Sequence, residues 1–386
     1  MGNDAEQRPA GAILEPFPDG SRVAFFGDSI TQNSGCILRV FAHYREAFPE
    51  RDVRFFDVGI SGGGFDAADL YFDGWLAPLR PTHVVIGFGV NGAGPLHPWA
   101  EAPDPAAEER RVREAAAAYR ARSAALAARV EALGARAIVR TNTPYDGSAG
   151  AEGAVPVDLA AVDAYRRAAD AIRDATRESG RPLVDDYVRM SALLAAGEKI
   201  YGTDRVHPND YGMWRMAETF LAAQGLVVAP FRPRKETAEA AGLAEWDELA
   251  WRTSFILSTE WLVVRDESLD LSAKLAKVRD WLAKSENDPK ANPFIVNIAR
   301  DYLRDKPQEA ALRARVEEVQ AYSARMPPRD SVAGGIRRFS ASLRPFDPKA
   351  SRAASIRPMQ GRRSRTAARM SPALLFACID ISRLTE

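Results

Sequence analysis

Five short apolar runs, separated by stretches of helical periodicity, confine this chain to a narrow set of folds. The runs occupy residues 23–26, 54–60, 82–88, 137–141 and 182–185. Each has strand length; three are followed directly by Gly or Asn, and the last ends in Asp. Between them lie segments with helical spacing, at 36–47, 67–79, 105–133, 158–179 and 190–196. In the first of these, Ile37, Val40, Phe41 and Tyr44 fall on one face. A last helix is expected from Pro208 to about residue 223, since proline fits a first helical turn. Strands that alternate with helices pair in parallel and carry helices on both faces of the sheet. The expected class is α/β, with a five-stranded parallel sheet in three layers.

The pattern also divides the chain. Residues 1–20 read as a leader loop, residues 21–230 as the α/β domain and residues 231–236 as a linker. From 237 to 326 the periodicity is helical throughout, with Trp246, Trp251, Trp261 and Trp281 in the apolar faces. This extension is expected to pack on the α/β domain, to act as a lid, or to offer an oligomerisation surface that makes a homo-oligomer. Residues 327–386 are rich in Arg, Ser, Ala and Pro and read as a disordered tail, although 373–381 is apolar enough to dock.

Charge narrows the choice of partner. From residue 331 to the end there are 11 basic and 3 acidic residues, leaving 41 basic and 49 acidic groups in the rest. An acidic body lacks the concentrated basic surface that phosphate recognition needs, so no nucleic-acid partner is expected. The basic tail is read as a solvated end. No window approaches the run of about 18 apolar residues of a membrane span, so no membrane partner is expected. The start of the chain is polar and has no apolar signal core. Cys36 and Cys378 are the only cysteines, and together these features suggest a cytoplasmic protein. There is no His-x-His, His-Glu-x-x-His or paired-Cys spacing, so neither a metal nor a cofactor is expected.

The first strand leads into Gly27-Asp28-Ser29, which puts a small nucleophile at the strand end where open α/β sheets place ligands. A serine hydroxyl needs a base to attack at neutral pH. The chain has four histidines. His43 lies within a helical segment and His83 starts a strand, which makes both structural, and His97 has no acidic neighbour. His207 closes Asp204-Arg205-Val206-His207 just before a helix. Asp204 can fold back onto the imidazole and fix its tautomer, or it can cap the helix. Acyl chemistry also needs donors for an oxyanion, worth about 3 to 4 kcal/mol each. Gly62, in a glycine run after the second strand, and Asn91, after the third, are either such donors or turn residues.

Taken jointly, Gly27-Asp28-Ser29-Ile30, Gly62, Gly89-Val90-Asn91 and Asp204-x-x-His207 resemble the four sequence blocks of the SGNH (GDSL-type) hydrolases, in order, over roughly residues 20–225. The resemblance implies a flavodoxin-like α/β/α fold and acyl-ester hydrolysis through an acyl-enzyme. It makes Ser29 the nucleophile, His207 the general base and Asp204 the residue that orients it. The oxyanion hole would be the Ser29 N–H, the Gly62 N–H and the Asn91 side chain. In the family's third block an Asp often follows the Asn, whereas Gly92 stands here, which puts the anchoring of that loop in question. The expected partner is a small-molecule acyl ester, with acetylated sugars among the candidates. Acyl transfer to another acceptor and a non-catalytic binding role are the alternatives. A further rival is a dinucleotide fingerprint, Gly62-Gly63-Gly64-Phe65-Asp66-Ala67, in which Asp66 would stand where phosphate should sit.

Overall fold

The structure, a computed structural model, describes residues 14–96, 104–148 and 155–323. Its centre is a five-stranded, wholly parallel sheet in the order β2-β1-β3-β4-β5. The strands are β1 (Arg22–Gly27), β2 (Arg54–Gly59), β3 (His83–Gly87), β4 (Arg136–Arg140) and β5 (Leu183–Val184). This is the flavodoxin-like arrangement, and the strand order reverses between β1 and β3, where such sheets open a crevice at their C-terminal ends. β1 is almost wholly buried, as its continuous apolar run requires of a central parallel strand.

Helices α1 (Ser29–Gln32), α2 (Gly35–Ala47), α3 (Phe65–Tyr71), α4 (Pro105–Ala132), α5 (Leu159–Ser179), α6 (Asp186–Ala195) and α7 (Asp210–Ala223) belong to the α/β part. Several boundaries differ from the sequence reading for identifiable reasons. The stretch expected as one helix over 67–79 changes winding, with a π-helical turn at Phe72–Leu76 and a 3-10 turn at Ala77–Leu79. α6 starts four residues before the expected Met190, because Asp185 caps it and Asp186 is buried as an ion pair with Arg140 at 2.6 Å. Pro208 does not open α7. It bridges to Tyr201, and Asn209 caps the helix by accepting from the Gly212 N–H at 2.9 Å.

The end of the expected leader is part of the core, since Leu14 and Phe17 are buried and the Phe17 N–H donates to the Tyr44 hydroxyl at 2.8 Å. The expected linker is likewise structured. Helix α8 (Arg234–Ala240) begins inside it, and Arg234 donates to the Asp247 carboxylate and to the Asn33 carbonyl. The extension continues as α9 (Ala244–Thr259), a π-helical turn at Glu260–Val264, α10 (Leu271–Ser285), α11 (Pro293–Asp305) and α12 (Glu309–Ser323).

The extension packs on the sheet and closes its β2 edge. An edge strand presents unpaired backbone groups, which must be covered or left to water. The Phe55 N–H donates to Gln320 Oε1 at 2.7 Å, and the Phe55 carbonyl accepts from Trp246 Nε1 at 3.2 Å. Trp246 is buried and meets the Phe41 ring edge-on at 5.3 Å. Burying one such ring contributes about 1.5 to 3 kcal/mol. Trp261 is also buried, whereas Trp251 and Trp281 are half-buried. Among the described residues no helix is long and apolar enough to cross a membrane. Residues 327–386, read as a tail, lie outside the described residues.

Candidate active site

The parallel register lines up Gly27, Gly59 and Gly87 in one row across β2, β1 and β3. The loops that leave this row carry Ser29, Gly62 and Asn91. α1 must lie directly on the end of β2, because a Cβ on Gly59 would come within 2.1 Å of the Gln32 nitrogen. Only glycine allows that approach, and it holds the one-turn helix that begins with Ser29. Asp28 caps this helix by accepting from the Ile30 N–H at 3.0 Å. Burial pushes the Asp28 carboxyl up to about 6, against the opposing pull of the Ile30 N–H, the His207 charge and the Val90 N–H.

Ser29 Oγ lies 2.8 Å from His207 Nε2, and His207 Nδ1 lies 2.6 Å from Asp204 Oδ2. A carboxylate can only accept, so Nδ1 carries the proton and Nε2 is left to accept from the serine hydroxyl. Of the two sequence readings of Asp204, the geometry brings it to the imidazole and does not make it the helix cap. Its Oδ2 meets the imidazole, while its Oδ1 accepts from the Val206 and His207 N–H groups at 3.0 Å each. That second oxygen fixes the loop rather than the helix, whose cap is Asn209. Burial would lower the His207 pKa, but the Asp204 hydrogen bond and charge, helped by Asp28, raise it above its ordinary value. Burial likewise opposes ionisation of Asp204, and the hydrogen bond from His207 prevails and lowers its pKa. Arg205, between them, has a left-handed backbone with φ of 67°. For a residue with a Cβ this costs about 1 to 2 kcal/mol. It is held by donation from the Arg205 guanidinium to the carbonyls of Asp146 at 3.1 Å and Ser148 at 2.7 Å.

Gly62 sits in a tight turn closed by the Gly63 N–H to the Ile60 carbonyl at 2.9 Å, with φ of +71°. That left-handed position is where a type II turn requires glycine. The Ser29 and Gly62 N–H groups meet no acceptor among the described residues. Asn91 Nδ2 donates to the Gly63 carbonyl at 3.2 Å, which ties the third block to this turn and uses one of its two hydrogens. The loop that lacks the usual Asp is held another way: the Tyr119 hydroxyl of α4 donates to the Gly89 carbonyl at 2.6 Å and lies 3.2 Å from that of Asn91.

The other histidines stand apart. His83 is at the N-terminal end of β3, where Thr82 Oγ1 is 2.9 Å from its Nδ1 and burial pushes its pKa down to about 4. His43 is on α2 and burial lowers its pKa too. His97 lies outside the described residues. Among the described residues no cluster of three or more His, Cys, Asp or Glu could hold a metal ion. A cavity of about 30 Å³ between Asp28, Thr31, Cys36, Arg140 and Asn142 has room for a water or two but not for an acyl ester. In the glycine run read as a dinucleotide fingerprint, Asp66 stands in the first turn of the seven-residue α3. β2, which precedes it, is the edge strand and not one of the pair at the switch point.

Residues 25–215 match the model of the GDSL-like lipase/acylhydrolase family. This region belongs to that family. The match supports a hydrolase acting on ester bonds. No curated protein matches it. Among solved structures, a gut microbial diltiazem-metabolizing enzyme is similar with a TM-score of 0.57 at 16% identity, covering 81% of this chain and 96% of that one. That likeness is one of fold, and its coverage reaches past the α/β part into the helical extension. An acetylxylan esterase from Geobacillus stearothermophilus has a TM-score of 0.43 at 20% identity, over 55% of this chain and 99% of its own. An alpha/beta hydrolase from the metagenome of Lake Arreo, Spain, has 0.44 at 23%, over 55% and 99%.

Several residues around this group were not singled out in the sequence. Tyr119 lies in a long Ala/Arg-rich helix whose periodicity marks no special face. Ser258 and Trp261 touch the Gly62 turn from the extension: the Ser61 N–H donates to Ser258 Oγ at 3.0 Å, and Trp261 Nε1 donates to the Gly62 carbonyl at 3.1 Å. The available signal was the spacing of Ser254, Ser258 and Trp261 on one helical face, which breaks an otherwise apolar stripe.

Proposed function

We propose that the protein is a serine esterase that cleaves small acyl esters, acetylated carbohydrates among them, through an acyl-enzyme. The observation that carries this reading is the continuous chain from Ser29 Oγ to His207 Nε2 at 2.8 Å and from His207 Nδ1 to Asp204 Oδ2 at 2.6 Å. In this reading Ser29 Oγ attacks the ester carbonyl carbon while its proton passes to His207 Nε2. Asp204 stabilises the imidazolium that results and keeps the ring in the productive tautomer. The new oxyanion is received by the Ser29 N–H, the Gly62 N–H and the free hydrogen of the Asn91 amide. Collapse of the tetrahedral adduct breaks the bond to the alcohol oxygen, which takes its proton from His207. Water then attacks the acyl-serine, with His207 again as base, and releases the acid.

Two features support this assignment of the oxyanion donors. The N–H groups of the half-buried Ser29 and Gly62 meet no acceptor among the described residues. Both follow the aligned row of strand ends. A small acyl group is supported by crowding at the turn, since Leu262 Cδ2 lies 3.1 Å from where a Gly62 Cβ would stand.

Hydrolysis of p-nitrophenyl esters of rising chain length by wild type and Ser29→Ala tests the reading. It expects turnover of the acetate ester in wild type, a steep decline with acyl length, and near-complete loss in the variant. Equal rates for the two proteins on the acetate ester would refute the serine mechanism.

A further inference from the structure

We propose that Ser258 and Trp261 of the helical extension are positioning residues for esterase turnover, because they fix the direction of the Gly62 N–H. The inference rests on the esterase reading above and adds to it a part of the chain that lies outside residues 25–215. The extension would then complete the site as well as cover the edge of the sheet.

The reasoning starts from the turn itself. The peptide unit between Ser61 and Gly62 carries the N–H proposed to receive the oxyanion. In a type II turn the direction of this central N–H is set by the two central residues, and the left-handed φ of +71° at Gly62 supplies it. Where the N–H then points depends on how the turn as a whole is placed. A turn free to tilt or shift on its loop would aim its donor at the site only part of the time. Electrostatic stabilisation of a transition state depends on donors that are already oriented.

Each peptide unit flanking the central one is held from the extension. On one side the Ser61 N–H donates to Ser258 Oγ at 3.0 Å. On the other, the Gly62 carbonyl accepts from Trp261 Nε1 at 3.1 Å. The Ser61 side chain is held as well, donating to Gln32 Oε1 at 3.1 Å, and Gln32 Nε2 lies 3.4 Å from Ser254 Oγ. With both flanking peptides tied to the extension, the turn cannot tilt or shift relative to Ser29 without breaking one of these bonds. Leu262, beside Trp261, fills the space next to the Gly62 α-carbon.

The clamp is itself firmly mounted. Ser258 and Trp261 flank Glu260, whose carboxylate is buried with the Tyr302 hydroxyl at 2.7 Å, Lys306 Nζ at 2.8 Å and Lys274 Nζ at 3.0 Å. Removing one partner from a buried ionic group leaves an uncompensated charge, so this cluster fixes the junction to α10 and α11. The chain winds there as a π-helical turn, Glu260–Val264, and π-helical turns are frequent at functional sites.

The test uses the full chain with Trp261→Phe, Ser258→Ala and Ser258→Thr. Turnover of p-nitrophenyl acetate is expressed per site titrated with a fluorophosphonate, and the melting temperature is recorded for each variant. Trp261→Phe keeps a smaller aromatic ring and removes the N–H; Ser258→Ala removes the acceptor; Ser258→Thr restores a hydroxyl. The expected result is a fall in kcat of about tenfold for Trp261→Phe and for Ser258→Ala, a fraction of the loss from deleting a donor outright. KM should stay within about twofold, as for an interaction expressed only in the transition state, and Ser258→Thr should recover most of the rate. Unchanged kcat per titrated site in both Trp261→Phe and Ser258→Ala would overturn the inference. So would a loss that follows the melting temperature and is not recovered by Ser258→Thr. A wild type without Ser29-dependent turnover would refute the esterase reading first, and this inference with it.

Discussion

The two arms that reach the reacting centre are held in opposite ways. The His207 arm is fixed mainly by its own sequence neighbours, with Arg205 tied in addition to the Asp146 and Ser148 carbonyls: Asp204 grips the imidazole and two backbone N–H groups within three residues, and the Gly202 N–H donates to the His207 carbonyl at 2.9 Å. The Gly62 arm is fixed from Ser258 and Trp261, separated from their partners by 197 and 199 residues. Local fixation writes itself into a short motif, whereas remote fixation leaves the motif as a bare glycine. The difference also assigns work to the extension, which shields β2 with Trp246 and Gln320 and braces the turn with Ser258 and Trp261.

The comparison sharpens into measurable differences. The largest effect should come from the histidine, since removing a member of such a unit costs about 10⁴- to 10⁶-fold in kcat. His207→Ala should therefore lose nearly all turnover while, at a pH above the raised His207 pKa, its melting temperature changes little, as checked by steady-state kinetics and calorimetry. Asp204→Asn is expected to lose about 10⁴-fold, because an amide favours the wrong imidazole tautomer. Its remaining oxygen can still accept from the Val206 and His207 N–H groups, so the loop should keep its shape in a crystal structure.

Gly62→Ala strikes the remote arm. A Cβ there meets Leu262 at 3.1 Å at a φ of +71°, and the left-handed conformation alone costs about 1 to 2 kcal/mol. We expect kcat to fall about 10²-fold as the donor is displaced, with a lower melting temperature, in contrast to Asp204→Asn.

The pH profile isolates the local arm. His207 must be neutral to act as base, and its pKa is raised above 6.5. kcat/KM should therefore be lost as pH falls through that raised value. Stability should follow the opposite sign. The contribution of the His207–Asp204 pair is fully present below the unfolded pKa of about 6.5 and is lost as pH rises through the folded value. The gap in melting temperature between wild type and His207→Asn should accordingly narrow with rising pH. The smallest effect on turnover is expected from Trp246→Phe, which keeps a smaller aromatic ring and loses part of the buried indole and its hydrogen bond to Phe55, about 2 kcal/mol in denaturant titration and no change in kcat.

How much of this was legible in the sequence follows the same division. The apolar runs around Phe25, Phe56, Val85 and Ile138 declared a buried parallel sheet, because continuous burial leaves no alternation to hide. The Asp204–His207 contact was legible because three residues separate the two, and Ser29 was legible from its place at the end of β1. Asp186 concealed the start of α6, since a buried carboxylate reads as a surface residue until Arg140 is found beside it. Arg234 made a helix start look like a linker for the same reason, its partners being Asn33 and Asp247. Asp28 was visible only as part of a block, and its raised pKa is a property of burial. Ser258 and Trp261 were read as a core stripe, because nothing local distinguishes a tryptophan that fills space from one that also donates to a distant carbonyl.

The central claim is that Ser29 is the nucleophile. It is tested most directly by treating wild type and Ser29→Ala with a fluorophosphonate and locating the adduct by intact-mass and peptide-level mass spectrometry. The account predicts one adduct per chain in wild type, on the peptide that contains Ser29, and none in the variant. An unmodified wild type, or an adduct of equal yield on the variant, would contradict it.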